Sequence, residues 1–320
     1  MFPRRMSRRE AIQAGAAAAL PLVVAPAALA KQNSPQGTAL TVGIATLGFG
    51  NYTNRQVAEE LAGQGIRTVQ LFLSQSDSHY WKYNGRSDLS DLTAERCRAI
   101  AGVYRAAGVS IHSMGVYTNL IHPDESERKA NLAYFEGMMK AAVTMGVPAL
   151  VTEAGHFQSD KPAPHVAQHF QEGVWKQMVA TGKELAALAE RHQVTVLFEA
   201  FFGGFLASAK RTRLFLEEIG SPRIRALLDP ANLLEINDLE EMFEQLKPWI
   251  DCLHAKDRKL HVERGVPAGQ GDLDYRKFVT LAAKHTPKVP LILEYVGPKD
   301  YKQALAHLRS AMREVGVGER

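Results

Sequence analysis

Short apolar runs alternate with longer amphipathic segments along the chain from residue 40 onward. Eight of the runs have the continuously apolar character of parallel strands that are buried on both faces. They predict strands over 40–46, 67–73, 109–113, 149–152, 195–199, 225–229, 251–254 and 291–294. The other segments repeat apolar residues at helical spacing and predict helices near 54–64, 93–107, 126–145, 166–192, 208–219, 238–248, 275–285 and 300–314.

Strict alternation of eight strands with eight helices predicts an α/β fold, a (β/α)8 TIM barrel. Glycines at 65, 108 and 146 each stand between a predicted helix and the next predicted strand, where a helix commonly ends. A doubly wound open sheet is the rival architecture, but eight units favour closure. We therefore expect a single domain over 40–315 and a short tail over 316–320.

The first thirty residues have a different composition from the rest of the chain. A twin-arginine pair, Arg8 and Arg9, precedes an alanine-rich apolar stretch that ends in a small-x-small sequence at Ala30. This pattern predicts a twin-arginine signal peptide over 1–30, followed by a flexible tether over 31–39. A membrane anchor is the alternative, but two prolines and the modest hydrophobicity of alanine disfavour it. The mature chain is thus expected to be periplasmic or secreted, with no permanent membrane anchor.

The charge balance gives little reason to expect nucleic acid as a partner. The formal net charge is +4, and the first thirty residues contribute +3 of it, which leaves about +1 for the remainder. DNA-binding proteins usually carry a clear basic surface. We expect no nucleic-acid partner, and homo-oligomerisation is left open.

Acidic or imidazole side chains close the last four predicted strands. These residues are Glu199, Asp229, His254 and Glu294, at spacings of 30, 25 and 40 residues, near the length of one strand–helix unit. Strand ends meet on one face of a parallel barrel, so the four side chains should converge. Three carboxylates and an imidazole suit one divalent cation, Mn²⁺ first and Mg²⁺, Co²⁺ or Zn²⁺ as alternatives. The competing interpretation is that each residue makes an ordinary capping bond or ion pair.

The segments around these four residues resemble the xylose-isomerase-like TIM barrel superfamily, which includes sugar phosphate isomerases/epimerases and tagatose 3-epimerase-like enzymes. The resemblance covers about 40–315, and its most specific pieces are LLDPANLL, LHAKD followed by AGQGDLDY, and LILEY. It implies that the four residues hold a catalytic metal. It also implies that Glu199 and Glu294 move protons on opposite faces of a hydroxy-ketone.

Three positions depart from the pattern of the ketose epimerases in this group. Asn232 stands where several of them have a histidine, Leu260 where they have an arginine, and Phe205 where they have a glutamate. Lys256, Arg258 or Lys259 can take over the arginine's role, and the sequence does not choose among them. The metal chemistry is therefore better supported than any particular sugar.

Lys256 follows His254 in the pattern His-x-Lys-Asp. Strand alternation points its side chain toward the same barrel mouth as that of His254. Lys256 can then act as a catalytic acid or stabilise an oxyanion; the alternative is an ion pair with Asp257 or another neighbour.

Six further residues are expected to bind substrate because they lie at predicted strand ends or on the long loops of the same barrel face. They are His112, Glu153, His156, Asn232, Arg258 and Trp81. Strand-end histidines are often structural, and a loop tryptophan such as Trp81 can pack its own loop instead of stacking on a sugar.

The chemistry expected is that of a metal-dependent isomerase or epimerase acting through an enediolate on an unphosphorylated sugar or keto-sugar. One rival is a dehydratase or β-eliminating lyase that acts on a 3-keto glycoside or cyclitol. A second rival is a non-catalytic periplasmic sugar-binding barrel that uses the metal site as a clamp. All three take a small carbohydrate as their partner.

Overall fold

The computed structural model of the protein describes residues 37–157 and 166–320. These residues fall within one compact unit. The predicted signal peptide over 1–30 lies outside the described residues, as does most of the predicted tether. Among the described residues, no helix has both the length and the apolar character needed to span a bilayer.

Eight parallel strands close into a barrel, in which β8 pairs with β1. In chain order they are β1 Val42–Ala45, β2 Thr68–Leu71, β3 Ser110–Gly115, β4 Ala149–Thr152, β5 Thr195–Glu199, β6 Ile224–Leu228, β7 Ile250–Ala255 and β8 Leu291–Leu293. The strands are short and almost wholly buried, as the apolar runs predicted. The predicted (β/α)8 barrel is confirmed.

One helix follows each strand. They are α1 Asn54–Gly63, α2 Ala94–Ala106, α3 Glu125–Met145, α4 Glu172–His192, α5 Ala209–Ile219, α6 Leu239–Leu246, α7 Tyr275–His285 and α8 Tyr301–Glu314. Side-chain caps fix several starts: Asp124, for example, accepts hydrogen bonds from the first backbone amides of α3. Helix α4 starts later than the predicted residue 166, because Ala167–Phe170 forms a separate 3₁₀ turn and Gln171 is extended.

The two ends of the described chain meet at the base of the barrel. The sequence placed 31–39 in a tether and 316–320 in a tail, but Ala39–Leu40 and Gly318–Glu319 instead form a short parallel strand pair. Val317 is buried, and Arg309 holds Glu319 in a two-bond ion pair. These contacts join segments that are distant in sequence, so local pattern did not reveal them.

Gly43 in β1 is expected to be sensitive to the smallest substitution. A Cβ at this position would lie 2.7 Å from the carbonyl oxygen of Thr68 and 2.5 Å from a methyl carbon of Ile292. We expect Gly43→Ala to lower the free energy of unfolding by about 1–3 kcal/mol, the usual cost of overpacking a core. Urea denaturation followed by circular dichroism measures this.

Gly102→Ala is the matched control, because Gly102 lies inside α2 and, apart from the adjacent backbone of that helix, no atom stands within 4 Å of the place that an added Cβ would take. It should raise the free energy of unfolding by about 0.5–1 kcal/mol, since alanine is the better helix former. Equal effects from both substitutions would contradict the close packing at β1.

Candidate metal centre and central cavity

Glu199, Asp229, His254 and Glu294 come together at the carboxyl ends of β5 to β8. One ligand atom from each lies within 4.8 Å of all the others, and all four residues are buried. His254 Nδ1 is the centre of the group, 3.4 Å from Glu199 Oε1, 3.4 Å from Glu294 Oε2 and 3.8 Å from Asp229 Oδ2. Asp229 also caps the turn that follows β6, so the two interpretations of that residue are compatible.

The orientation of the His254 ring suits a metal ligand. Its Nε2 lies 2.7 Å from the Gln70 side-chain oxygen on β2, while its Nδ1 is buried without a hydrogen-bond partner among the described residues. A ring whose far nitrogen donates to an oxygen acceptor presents the lone pair of the near nitrogen to a cation. Gln70 was not identified from the sequence, because its side chain reaches the site from a strand far away in the chain.

The electrostatics of the group also favour a cation. Burial disfavours a charged His254, but the Glu294 and Glu199 carboxylates outweigh it and raise the His254 pKa well above its usual range. The group therefore attracts positive charge to its centre, either a proton or a metal ion. Three carboxylates and one imidazole, whose Nδ1 is without a hydrogen-bond partner among the described residues, fit a divalent metal.

Lys256 is buried against two of these acids. Its Nζ lies 2.7 Å from Asp229 Oδ2, 3.0 Å from Glu294 Oε2 and 4.4 Å from the centre of the Tyr295 ring. Burial opposes the charge on Lys256, yet Asp229 and Glu294 hold its pKa well above the usual range. Burial by itself would raise the pKa of Glu294, but the charges of Lys256 and His254 outweigh burial and lower this pKa. Lys256 is therefore an ammonium in the barrel mouth.

Asp257 is not the partner of Lys256. Its carboxylate instead accepts backbone N–H groups from Arg258, Gly269 and Leu273, at 2.8, 3.1 and 2.9 Å. The loop after β7 is folded closely around this acid, and a Cβ on Gly271 in the AGQGD segment would lie 2.4 Å from Asp257 Oδ1.

Neutral donors hold Glu199. The Tyr117 hydroxyl donates to Oε2 at 2.6 Å, and the Asn232 side-chain amide donates to Oε1 at 2.8 Å. Asn232, predicted to bind substrate, thus contacts Glu199, one of the four candidate metal ligands. Tyr117 was missed because the strand before it was predicted to end too early.

His112 does not end its strand. Strand β3 continues to Gly115, and the register with β2 shifts around His112: Val69 pairs with Ile111, whereas Gln70 pairs with Ser113. The extra residue at this irregularity is His112, and its Nδ1 lies 3.2 Å from the hydroxyl of Ser113. The predicted position at the strand end is wrong, and His112 is not in the lining of the cavity described next.

A central cavity of about 400 Å³ lies against Glu199 and Glu294. Of the predicted substrate ligands, Glu153, His156, Asn232 and Trp81 line it, as does Lys256. Aromatic side chains complete its wall: Phe72, Tyr83, Tyr117, Phe201 and Tyr295. Its size is in the range of small-molecule sites.

Arg258 lies outside this lining. Its Nε donates to Glu235 Oε1 at 3.0 Å, and its guanidinium stacks 4.5 Å from the centre of the Phe202 ring. The predicted direct contact of Arg258 with substrate is therefore not supported by its position. Arg258 lies beyond the end of the barrel strand at Ala255, so the alternation of side chains along that strand does not predict where the Arg258 side chain points.

Glu153, Tyr83 and His156 form a hydrogen-bonded group in the wall of the central cavity. The Tyr83 hydroxyl donates to Glu153 Oε2 at 2.9 Å and lies 3.5 Å from His156 Nε2. Burial raises the pKa of Glu153 to about 8, and the negative charge of Glu199 adds to the shift. The cavity thus contains a carboxyl group that is mostly protonated at neutral pH.

Comparison with known proteins agrees with the fold. The profile of the family described as xylose isomerase-like TIM barrel matches residues 58–311. No curated protein matches the chain by sequence. Among solved structures, the chain is similar to a 3-keto-D-glucoside 4-epimerase from E. coli, with 16% identity, a TM-score of 0.66, and coverage of 85% of this chain and 99% of the other.

Two further structures are similar at the same level. A probable 3-DHS dehydratase from Bacillus anthracis has 16% identity and a TM-score of 0.65, with 84% of this chain and 98% of the other covered. A xylose isomerase-like TIM barrel protein from Mycobacterium smegmatis in complex with magnesium has 15% identity and a TM-score of 0.65, with 87% of this chain and 97% of the other covered. Since the family profile spans most of the sequence, the chain belongs to the xylose isomerase-like TIM barrel family.

Proposed function

We propose that the protein is a divalent-metal-dependent isomerase or epimerase of an unphosphorylated sugar or keto-sugar that carries a hydroxyl beside its carbonyl. The observation that supports this most directly is the pair Glu199 and Glu294. Both carboxylates line the central cavity, and both lie 3.4 Å from the same imidazole nitrogen, His254 Nδ1. Epimerisation with proton removal on one face and proton return on the other uses two such groups, each within reach of the same carbon. An epimerase among the similar structures supports this class of reaction.

Glu199, Asp229, His254 and Glu294 would hold the metal, with Mn²⁺ favoured by the oxygen-rich ligand set. A bound dication would supply electrostatic stabilisation of the negative charge that develops on the carbonyl oxygen. A magnesium complex of a similar barrel supports a hard cation here. Lys256 would add a second positive charge at the same mouth, 3.0 Å from Glu294.

The surroundings of the two glutamates suggest different roles. Tyr117 and Asn232 hold Glu199 by neutral donors, one to each carboxylate oxygen. A carboxylate has about four lone-pair sites. Two accept these hydrogen bonds and one would bind the metal, which leaves one that can accept a proton from substrate. Glu294, by contrast, is ion-paired with Lys256, which favours its ionised form. We assign proton removal to Glu199. Proton return on the other face would come through Glu294, which must first take up a proton from the Lys256 ammonium 3.0 Å away.

Solvent exchange tests the proposal. The mature protein with Mn²⁺ would be incubated in D₂O with a panel of keto-sugars, followed by mass spectrometry and proton NMR. Isomerisation or epimerisation puts one deuterium into the carbon beside the carbonyl. Sugar binding by calorimetry without any exchange would overturn the proposal and favour the non-catalytic sugar-binding barrel instead.

A dehydratase or lyase is the second candidate, and Glu153 is the observation that favours it. Elimination needs a proton donor for the leaving group, and Glu153 is a buried acid in the same cavity whose pKa is raised to about 8. A similar barrel is a probable dehydratase. In this reaction the product loses water or an alcohol, so its mass distinguishes the two candidates.

The elimination reaction should depend on pH in a way that epimerisation does not. Because the pKa of Glu153 is raised, its protonated form dominates below pH 8 and is lost above it. An elimination rate that uses this proton should fall about tenfold per pH unit above 8. Glu153→Gln should remove this dependence together with most of the rate. A flat profile from pH 7 to 10 would exclude Glu153 as the donor.

We also propose that the chain is exported to the periplasm by the twin-arginine route, on the strength of Arg8 and Arg9. Replacement of both arginines with lysine should leave the precursor in the cytoplasm, as measured by cell fractionation. Export of the lysine variant at the normal rate would contradict this.

A further inference from the structure

A second cavity of about 600 Å³ lies beside the central one, between the loop after β1 and the segment after β8. We call it the side cavity. Its wall and that of the central cavity have Leu47, Glu294 and Tyr295 in common. Of the residues that line the side cavity, the proposed proton transfer involves only Glu294.

Tyr295 stands between the two cavities in a strained conformation. Its φ of 56° lies in the left-handed region, which is costly for a bulky side chain and typical of functional sites. The residue is 56% exposed. The position of its ring depends on Gly265, since a Cβ there would lie 2.5 Å from the ring. The energetically unfavourable backbone conformation of Tyr295 thus places an aromatic ring where the two cavities meet.

The side cavity has the chemistry of a sugar subsite. Leu47, Val296 and Pro298 give it an apolar wall, while Asn51, Lys299 and Asp300 place polar groups around it. A pyranose ring has an apolar C–H face that packs on aromatic and aliphatic side chains, and hydroxyl groups at its edge that need polar partners. Lys299 and Asp300 carry opposite charges, so a neutral ligand fits better than a phosphate.

We propose that the substrate is a glycoside with two rings. The keto-bearing ring occupies the central cavity beside Glu199 and Glu294, and the attached second sugar ring occupies the side cavity against Tyr295. This inference rests on the proposed function, because that function places the reacting ring. It adds the substrate class, which the metal centre alone does not define.

The test compares methyl 3-ketoglucoside with the 3-keto form of a glucosyl-glucose disaccharide, using the mature Mn²⁺-loaded protein. The disaccharide should have a kcat/KM at least about tenfold higher, equivalent to about 1.4 kcal/mol of added binding. Asn51→Trp fills the side cavity and should lower the disaccharide-to-monosaccharide ratio of kcat/KM by about tenfold. The control is Gln64→Trp, because Gln64 is exposed at the end of α1 and lines neither cavity, and it should leave the ratio unchanged.

Direct binding separates failure of this inference from failure of the proposed function. Calorimetry with the same two compounds needs no turnover. If neither compound reacts but the disaccharide binds at least about tenfold more tightly, and Asn51→Trp removes the difference, the subsite stands and the proposed reaction is wrong. Equal affinity and equal kcat/KM for the two compounds overturn the subsite, as does an unchanged ratio in Asn51→Trp.

Discussion

Glu199→Gln is expected to lower kcat by about 10²–10⁴-fold, the usual contribution of a positioned general base. The substitution keeps the shape of the side chain and its place between Tyr117 and Asn232, but the amide cannot take up a proton. Rates of deuterium incorporation from D₂O measure the step directly. Circular dichroism and the thermal midpoint establish that the fold is retained.

Two comparisons give the result its meaning. Glu199 is also one of the four candidate metal ligands, so the metal content of the variant must be measured by mass spectrometry. Activity that is lost while metal is still bound identifies proton transfer as the cause. Glu59→Gln makes the same chemical change on the exposed face of α1 and should have no effect. If Glu199→Gln retains full activity with metal bound, the assignment of Glu199 as the base is wrong.

Addition of Mn²⁺ to chelator-treated protein is expected to raise the thermal midpoint by about 5–10 °C. A ligand at a hundred times its Kd stabilises the folded state by about 2.7 kcal/mol, and each kcal/mol shifts a domain of this size by about 2–4 °C. The physical reason is the burial of three carboxylates around His254, whose mutual repulsion a dication relieves. Differential scanning fluorimetry with a series of divalent ions would also rank the metals.

Asp229→Asn should abolish most of this shift, because it removes a charged ligand from the group. Glu235→Gln is the matched control: Glu235 is also a largely buried carboxylate, but it pairs with Arg258 and is not in the group. An equal shift in both variants would mean that Mn²⁺ binds elsewhere. This measurement does not depend on turnover, so it tests the metal site separately from the reaction.

The alternation of apolar runs and amphipathic segments was sufficient to predict the barrel, because the signals for each strand and helix are local and repeat along the sequence. Each strand is a short apolar run, and each helix has its own period and often its own cap, such as Asp124 at the start of α3. Several of the errors lie at places where distant segments set the outcome. The base of the barrel, where Ala39–Leu40 pairs with Gly318–Glu319, is one such place.

The centre of the site was predictable for a similar reason. In a closed parallel barrel all strands end on the same face, so Glu199, Asp229, His254 and Glu294 had to converge once the strand ends were correct. The side chains around them were not predictable. Gln70 contacts His254 from a distant strand, and Lys256 pairs with Asp229 and Glu294 instead of its neighbour Asp257.

The sequence by itself determined the order of elements, the family resemblance and the three acids and one histidine at the ends of the last four strands, because each depends on residues near one another in the chain. Only the tertiary structure decided which groups touch those acids. Strand β3 continues to Gly115, past His112, which stands at a register shift with β2, and Tyr117 beyond the strand contacts Glu199. The left-handed backbone at Tyr295 places this residue in the walls of both cavities. Registers and strained turns come from packing between distant strands and loops, and no local pattern encodes them.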